Sequence, residues 1–499
     1  MIALAPLLLL GGIVLVEQPI DGVEYAYTPR FSANVRTYTR YADLDGDGAN
    51  DIVTPTTAAF QRDGEFPKAQ QTPLPRPNGM ALADLWENEI YVLMRDRMEV
   101  LRWSNSEWQR TLSQPINWGQ PVIDTSFATE SSEGGGFYHF EDFLVDVDGD
   151  SIPEIVRPAS DGIHIFAKTE LFYEAAANWQ ILPPMSAYVP PQTLWPTSER
   201  RVEIPALVRM SDIEISANGV RVAYEDEDVT KTAKRFREDY YAIDHVKRGL
   251  ELSPSATSSV RSEVVDSWYQ RVRLNTDNAM DLIKLRPVGE TAPPLSVSIV
   301  ETSVSTDAGK SFVSFRSVGS RHWRVLTDYN EDGRIDLVSE NKQLVEGGIR
   351  ETLVRGLTGR EVDLEVQVWL QDDAGQFPAR PSFNHTFSIE LDRPPVYQSA
   401  MFVNFLAGGL FSLDGDFDGD GIRDAAIHDR PNRIVIRKGG PKGITNQVIA
   451  TLEVTSKSEF LATDIDGDDR SDLLVSIPRG EGQAAAEETT VYLSRESVR

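Results

Sequence analysis

An acidic nonapeptide recurs five times along this 499-residue chain. It reads DLDGDGAND from Asp43, DVDGDSIPE from Asp146, DYNEDGRID from Asp328, DFDGDGIRD from Asp416 and DIDGDDRSD from Asp464. Oxygen-bearing side chains fall at positions 1, 3, 5 and 9. These are Asp43, Asp45, Asp47 and Asp51 in loop 1, and Asp146, Asp148, Asp150 and Glu154 in loop 2. Loop 3 has Asp328, Asn330, Asp332 and Asp336, and loop 4 has Asp416, Asp418, Asp420 and Asp424. Loop 5 has Asp464, Asp466, Asp468 and Asp472. Position 7, held by Ala49, Ile152, Arg334, Ile422 and Arg470, can add a backbone carbonyl. A tight loop with alternate oxygens inside suits a hard cation that takes about 6–8 oxygen ligands, and Ca²⁺ is the first candidate. Five copies, each followed by apolar residues, predict a repeat architecture with about five calcium sites, since such repeats stack to bury a shared core.

The EF-hand is excluded on two counts. Its loop closes with a bidentate Glu at position 12 between two helices. Position 12 here is Thr54, Arg157, Ser339, Ile427 or Val475, none of which can clamp a cation through two oxygens. The runs that follow, such as Ile52-Val53, Leu337-Val338 and Leu473-Leu474-Val475, are short and apolar, as buried strands are. The predicted unit is strand, calcium loop, strand.

The D-x-D-x-D-G-x-x-D pattern with its trailing apolar strand resembles the FG-GAP/VCBS repeats of β-propeller proteins, the class that includes the integrin α-subunit propeller. Turns ending in an aromatic, Asp63-Gly64-Glu65-Phe66 and Ala374-Gly375-Gln376-Phe377, echo the outer hairpins of such blades. The resemblance runs from Tyr25 to Tyr492 and is weak in the middle of the chain. It implies an all-β fold, a seven-bladed β-propeller with eight blades as the alternative count, and calcium loops within the blades. Asn330 and Glu154 depart from the pattern but still offer oxygens. Ser151 and Asp469 stand where glycine eases a sharp turn, at a strain of about 1 kcal/mol.

Two segments read as decayed copies. Arg273 to Asp281 keeps oxygens at positions 3, 5 and 9 but puts Arg273 at position 1, so no metal is expected there. Asp84 keeps only the first acidic residue, before Ile90 to Met94. Asp212-Ile213-Glu214 is a further possible seed, and it would make the eighth blade. The span from 146 to 273 is too long for one blade. Within it, Val229, Ala233, Phe236, Tyr240, Ile243 and Val246 recur at helical intervals, with Asp228 as cap and Gly249 as stop. The expectation is a helical insertion over 226–270, serving as a cover on the barrel or as a docking element for a partner.

Net charge is −28, which the acidic loops largely explain, and no basic run occurs. That argues against nucleic acid or an anionic membrane surface as partner. The chain has no cysteine, which removes disulfides, thiolate metal sites and thiol nucleophiles. Ile2 to Val16 is apolar like the core of a signal peptide, so residues 1–20 read as an export leader and 21–499 as one propeller. Weak multi-carboxylate sites fill at extracellular calcium levels, which also favours a periplasmic, cell-surface or secreted protein. The six histidines are scattered, and Trp86, Trp103 and Trp108 read as strand packing or as a sugar-stacking shelf. Neither a nucleophile elbow nor a phosphate loop is present. The expected function is a non-catalytic, calcium-bound scaffold for a protein or glycan partner. The alternative is a propeller-borne secreted enzyme of the polysaccharide lyase or hydrolase type.

Overall fold

The computed structural model describes residues 13–20, 39–77, 80–94, 97–115, 137–140, 143–146, 150–159, 162–168, 173, 179–181, 208–216, 219–227, 233–242, 251–252, 254–263, 268–272, 274–275, 281–288, 299–307, 309–318, 323–325, 328–342, 361–390, 411–454, 458–477 and 488–496. They form an all-β structure of eight small sheets, nearly all antiparallel and made mostly of consecutive strands. Among the described residues no helix is long and apolar enough to cross a membrane.

Sheet 1 spans Arg40–Ala42 to Gln71–Pro73, and sheet 2 spans Met80–Trp86 to Glu107–Pro115 with Phe137–Phe140 added in parallel. Sheet 3 runs from Leu144–Val145 to Trp179–Ile181, with Glu251–Leu252 added in parallel. Sheet 4 holds Val208–Ser216, Gly219–Glu227, Ala233–Ala242 and Ala256–Glu263. Sheet 5 covers Trp268–Val272 to Val313–Val318, sheet 6 Trp323–Val325 to Phe383–Glu390, and sheet 7 Phe411–Gly415 to Val448–Glu453. Sheet 8 contains Glu459–Thr463, Asp472–Ile477 and Glu488–Glu496, and is completed by Ile13–Gln18. Each nonapeptide joins the first two strands of its sheet, in sheets 1, 3, 6, 7 and 8.

The strand that follows each loop holds buried apolar residues at or near its start. Asp51–Val53 is wholly buried, and Ala425, Ala426, Leu337 and Leu473 are at most 1% exposed. Such strands, buried on both faces, lose the polar alternation of a half-exposed sheet. Neighbouring sheets share apolar clusters. Leu337, Trp369 and Leu274 join sheets 5 and 6, Val366 and Ile427 join 6 and 7, and Ile434 and Leu473 join 7 and 8. Ile52 and Leu474 then join sheets 8 and 1, Ala58 and Ile90 join 1 and 2, and Tyr91 and Ile155 join 2 and 3. Packing thus runs across the junction of the chain's two ends without a break.

Two expectations need correction. Ala233–Ala242 is a strand, paired on one side with Gly219–Glu227 and on the other with Ala256–Glu263. The helical insertion over 226–270 therefore does not hold for these residues, while 228–232 and 243–250 lie outside the described set. The helical spacing came from a few apolar residues, but Val220 and Val222 opposite them form an alternating strand that needs a partner, and sheet pairing outweighs local propensity. The buried charges of this strand hid its inward face. Glu238 is 2% exposed and bonded to Arg221, and Asp239 accepts from Thr257 and Arg237.

The second correction concerns residues 1–20. Ile13–Gln18 pairs along its whole length with Val491 to Glu496, and Ile13 and Leu15 pack on the apolar cluster between sheets 7 and 8. The folded body thus takes in Ile13–Gln18, residues that the sequence assigned to a leader, because a short β-branched apolar run fits an open sheet edge. Residues 1–12 lie outside the described set. The tryptophans settle into packing. Trp103 and Trp108 face each other across a hairpin with ring centroids 5.3 Å apart, and Phe60 lies 4.8 Å from Trp103.

Candidate cation loops

The five loops share one backbone plan. The position 1 carboxylate accepts amides from within its own loop. Asp43 takes those of Gly46 (2.7 Å), Asp47 (3.1 Å) and Gly48 (2.9 Å), and Asp416 those of Gly419, Asp420 and Gly421 (2.8–3.2 Å). Asp146, Asp328 and Asp464 each take two. The position 5 carboxylate accepts the amide of position 7 in every copy, at 2.9–3.1 Å. Position 6 is left-handed throughout. Gly48, Gly333 and Gly421 have φ of 89°, 81° and 82°, and Ser151 and Asp469 are held at 67° and 65°. Both non-glycine residues thus adopt the strained conformation expected of them.

Position 9 is the deepest group. Asp51, Asp336, Asp424 and Asp472 are 0% exposed. One oxygen of each accepts the amide of position 2 at 2.9 Å. The other accepts an amide from within a later strand, at Ser494, or two residues past its end, at Gln61, Gln371 and Gly439, at 2.7–2.9 Å. The carboxylate therefore ties the loop to its sheet. Burial pushes these four groups up, to about 7, 6, 7 and 8, against the lowering effect of the backbone donors. Acidic neighbours push in the same direction as burial. A cation beside such a group would favour its charged form.

Loops 1, 4 and 5 gather the oxygens of positions 1, 3 and 9. Asp43, Asp45 and Asp51 offer atoms within 4.8 Å of one another, as do Asp416, Asp418 and Asp424, and Asp464, Asp466 and Asp472. In loop 3 Asn330 stands in place of the middle carboxylate. The Oδ1 atoms of Asp45, Asn330, Asp418 and Asp466 are buried and have no hydrogen-bond partner. Each is a buried acceptor within its loop, and a buried polar atom of this kind calls for a partner. A hard cation supplies one, so the residues present fit Ca²⁺.

The position 5 carboxylates are not part of these groups. In loops 1, 4 and 5 their outer oxygens turn to basic side chains that also hold position 3. Arg62 binds Asp45 and, at 2.8 Å, Asp47. Lys438 binds Asp418 and, at 2.6 Å, Asp420. Arg495 binds Asp466 and, at 3.3 Å, Asp468. In loop 3 Arg334 binds Asp332 at 2.5 Å and Asp373 at 3.1 Å. Partial burial works against the Lys438 ammonium, but Asp418 and Asp420 outweigh it and keep the group charged. The motif could not reveal Arg62, Lys438 or Arg495, which lie outside it. In loop 2 Asp148 falls outside the described residues, and Glu154 is buried at the start of the next strand. The ring of backbone amides around Asp146, Asp150, Ser151 and Ile152 is still present.

The decayed copies keep structural roles. Asp281 accepts the amides of Leu274 and Asn275, as position 9 does elsewhere, while Arg273 lies outside the described residues. Asp84 accepts the amides of Phe143 and Leu144 at 2.7 and 2.8 Å and so fastens sheet 2 to sheet 3.

The loops also touch in series. Arg423 of loop 4 donates to the carbonyls of Asp328 and Tyr329 in loop 3. Ser471 of loop 5 exchanges two hydrogen bonds with Asp416 of loop 4. Asn50 of loop 1 crowds Gly467 of loop 5, where an added Cβ would lie 2.6 Å from its amide nitrogen. Gln61 reaches from sheet 1 to the carbonyl of Asp466, and Gln371 reaches from sheet 6 to that of Leu274.

No family model and no curated protein matches this chain. Among solved structures it is similar to Kluyveromyces lactis Hsv2, "complete loop 6CD", at 10% identity and a TM-score of 0.28, covering 92% of this chain and 97% of that one. It is also similar to the AfRom2 CNH domain at 13% identity and a TM-score of 0.19, covering 71% and 94%. At such scores neither likeness bears on fold or function.

Proposed function

We propose that this protein is a calcium-bound β-propeller scaffold, exported, with its sheets as blades and its loops as cation staples. Eight sheets favour eight blades over the seven expected from loop spacing, the additional one being sheet 4, which holds the Asp212 seed. The ring would close through the pairing of Ile13–Gln18 with the last strand. The observation that carries the reading is the inward, partnerless Oδ1 of position 3, repeated in four loops of identical backbone plan.

Positions 1, 3 and 9 would hold the ion, with the position 7 carbonyl and a position 5 oxygen completing its shell. When bound, the ion supplies charge neutralisation inside the loop and a rigid link between the first two strands. The loops lie within blades, so recognition of a protein or glycan partner falls to the segments that connect blades. Equilibrium dialysis of the whole chain tests the reading. A stoichiometry near five is expected, lowered by about one in Asp45→Ala or Asp418→Ala. One ion or none would overturn it.

A further inference from the structure

In three loops the later segment that caps the deepest carboxylate also delivers a positive charge. Gly439 gives its amide to Asp424, and its neighbour Lys438 reaches across the loop. Gln61 gives its amide to Asp51, followed by Arg62, and Ser494 gives its amide to Asp472, followed by Arg495. One backbone step therefore places both groups. The basic side chain spans the outer oxygens of positions 3 and 5 and leaves the inner Oδ1 of position 3 facing the loop.

Four carboxylates in one loop repel one another, and a fixed positive charge offsets part of that repulsion. The same charge also repels any divalent ion held by the inner oxygens. We propose that Arg62, Lys438 and Arg495 are built-in counter-cations that keep their loops in shape without a divalent ion and weaken the binding of one. The second half of this statement rests on the reading of the loops as calcium sites.

Such a device sets affinity by its charge, whereas a side chain that merely oriented the carboxylates would strengthen binding. The two roles predict opposite signs. Calorimetric titration of full-length Lys438→Gln with CaCl₂ should show one site tightened by about tenfold. The melting temperature of the same variant in EGTA should fall below that of the wild type. Lys438→Arg should match the wild type in both measurements. Weaker calcium binding in Lys438→Gln, or an unchanged EGTA melt, would overturn the proposal. Should Lys438→Gln fail to fold, Arg495→Gln gives the same two readings at loop 5. A wild type that binds no calcium would sink the calcium reading alone, and the EGTA melts would still decide whether the basic residues hold the loops.

Discussion

Sheet 4 and sheet 7 solve one problem by different means. Both must hold a four-stranded sheet together around buried charge. Sheet 7 gathers its charge in one loop, where Asp424 is fully buried, Asp418 directs an oxygen inward and Lys438 stands outside. Sheet 4 carries no copy of the nonapeptide, and its described strands hold buried charge along their length. Arg221 and Glu238 form a buried pair, Arg221 lies over the Tyr240 ring at 4.6 Å, and Asp239 is bonded by Arg237 and Thr257. The first arrangement has an oxygen left for an outside ion. The second closes on itself with protein groups, and its stability should be indifferent to calcium.

The largest test of that contrast is calcium removal. With dissociation constants on the order of 0.1 mM and free calcium near 1 mM, each site adds roughly 1.4 kcal/mol, and five add about 7 kcal/mol. EGTA should lower the melting temperature by many degrees. Hydrogen exchange in EGTA should rise first in sheets 1, 6, 7 and 8, and least in the hairpin of residues 219–242. Equal loss of protection everywhere would erase the distinction.

The converse test breaks sheet 4. Arg221→Met removes a buried charge bonded to Glu238 and should cost up to about 3 kcal/mol, the usual order for breaking a buried ion pair. Calcium stoichiometry by dialysis should stay as in the wild type. A changed stoichiometry would mean that the two regions are coupled.

A third effect is smaller and depends on pH. Asp51, Asp424 and Asp472 titrate near 7 to 8 when buried, far above an ordinary carboxyl. In EGTA their protonated forms favour the folded state, so this contribution is full below about pH 4 and is lost as pH rises through about 7 to 8. Calcium requires the charged form, so its affinity should fall by up to about tenfold per unit as pH drops below 7. Melting curves in EGTA at pH 5 and 8, with calcium titrations at pH 6 and 8, check both signs. Flat profiles would show that these carboxyls keep ordinary values.

The smallest effect lies in the loops themselves. Ser151→Gly and Asp469→Gly should each stabilise the protein by about 1 kcal/mol, since both residues hold left-handed backbone. Urea melts of the two variants, set against Gly421→Ala with the opposite sign, would measure it.

The sequence showed the loops because their ligands recur at fixed spacing inside nine residues. It could not show Arg62, Lys438 or Arg495, because each sits one residue from a capping amide on a later strand, at a distance set by hairpin length. Strand character was legible where burial is apolar, as at Leu473 to Val475. It failed at Phe236 to Tyr241, where Glu238 and Asp239 are buried on opposite faces of the strand and leave only the aromatics to suggest a period. The strand at Ile13–Gln18 was illegible for a related reason, since a short apolar segment has the same composition whether it leads a chain out of the cell or pairs at a sheet edge.

That terminal strand has a consequence for the order of assembly. Ile13–Gln18 is made long before its partner Glu488–Glu496. The Gln18 side chain accepts from Phe66 and the Pro19 carbonyl from Gln71, so sheet 1 can hold this segment early while its own pairing edge waits. Closing so long a loop costs little more than closing a short one, because the entropy grows only with the logarithm of length. The delay is kinetic, and until Glu488–Glu496 emerges the nascent chain carries an apolar edge without its pairing strand.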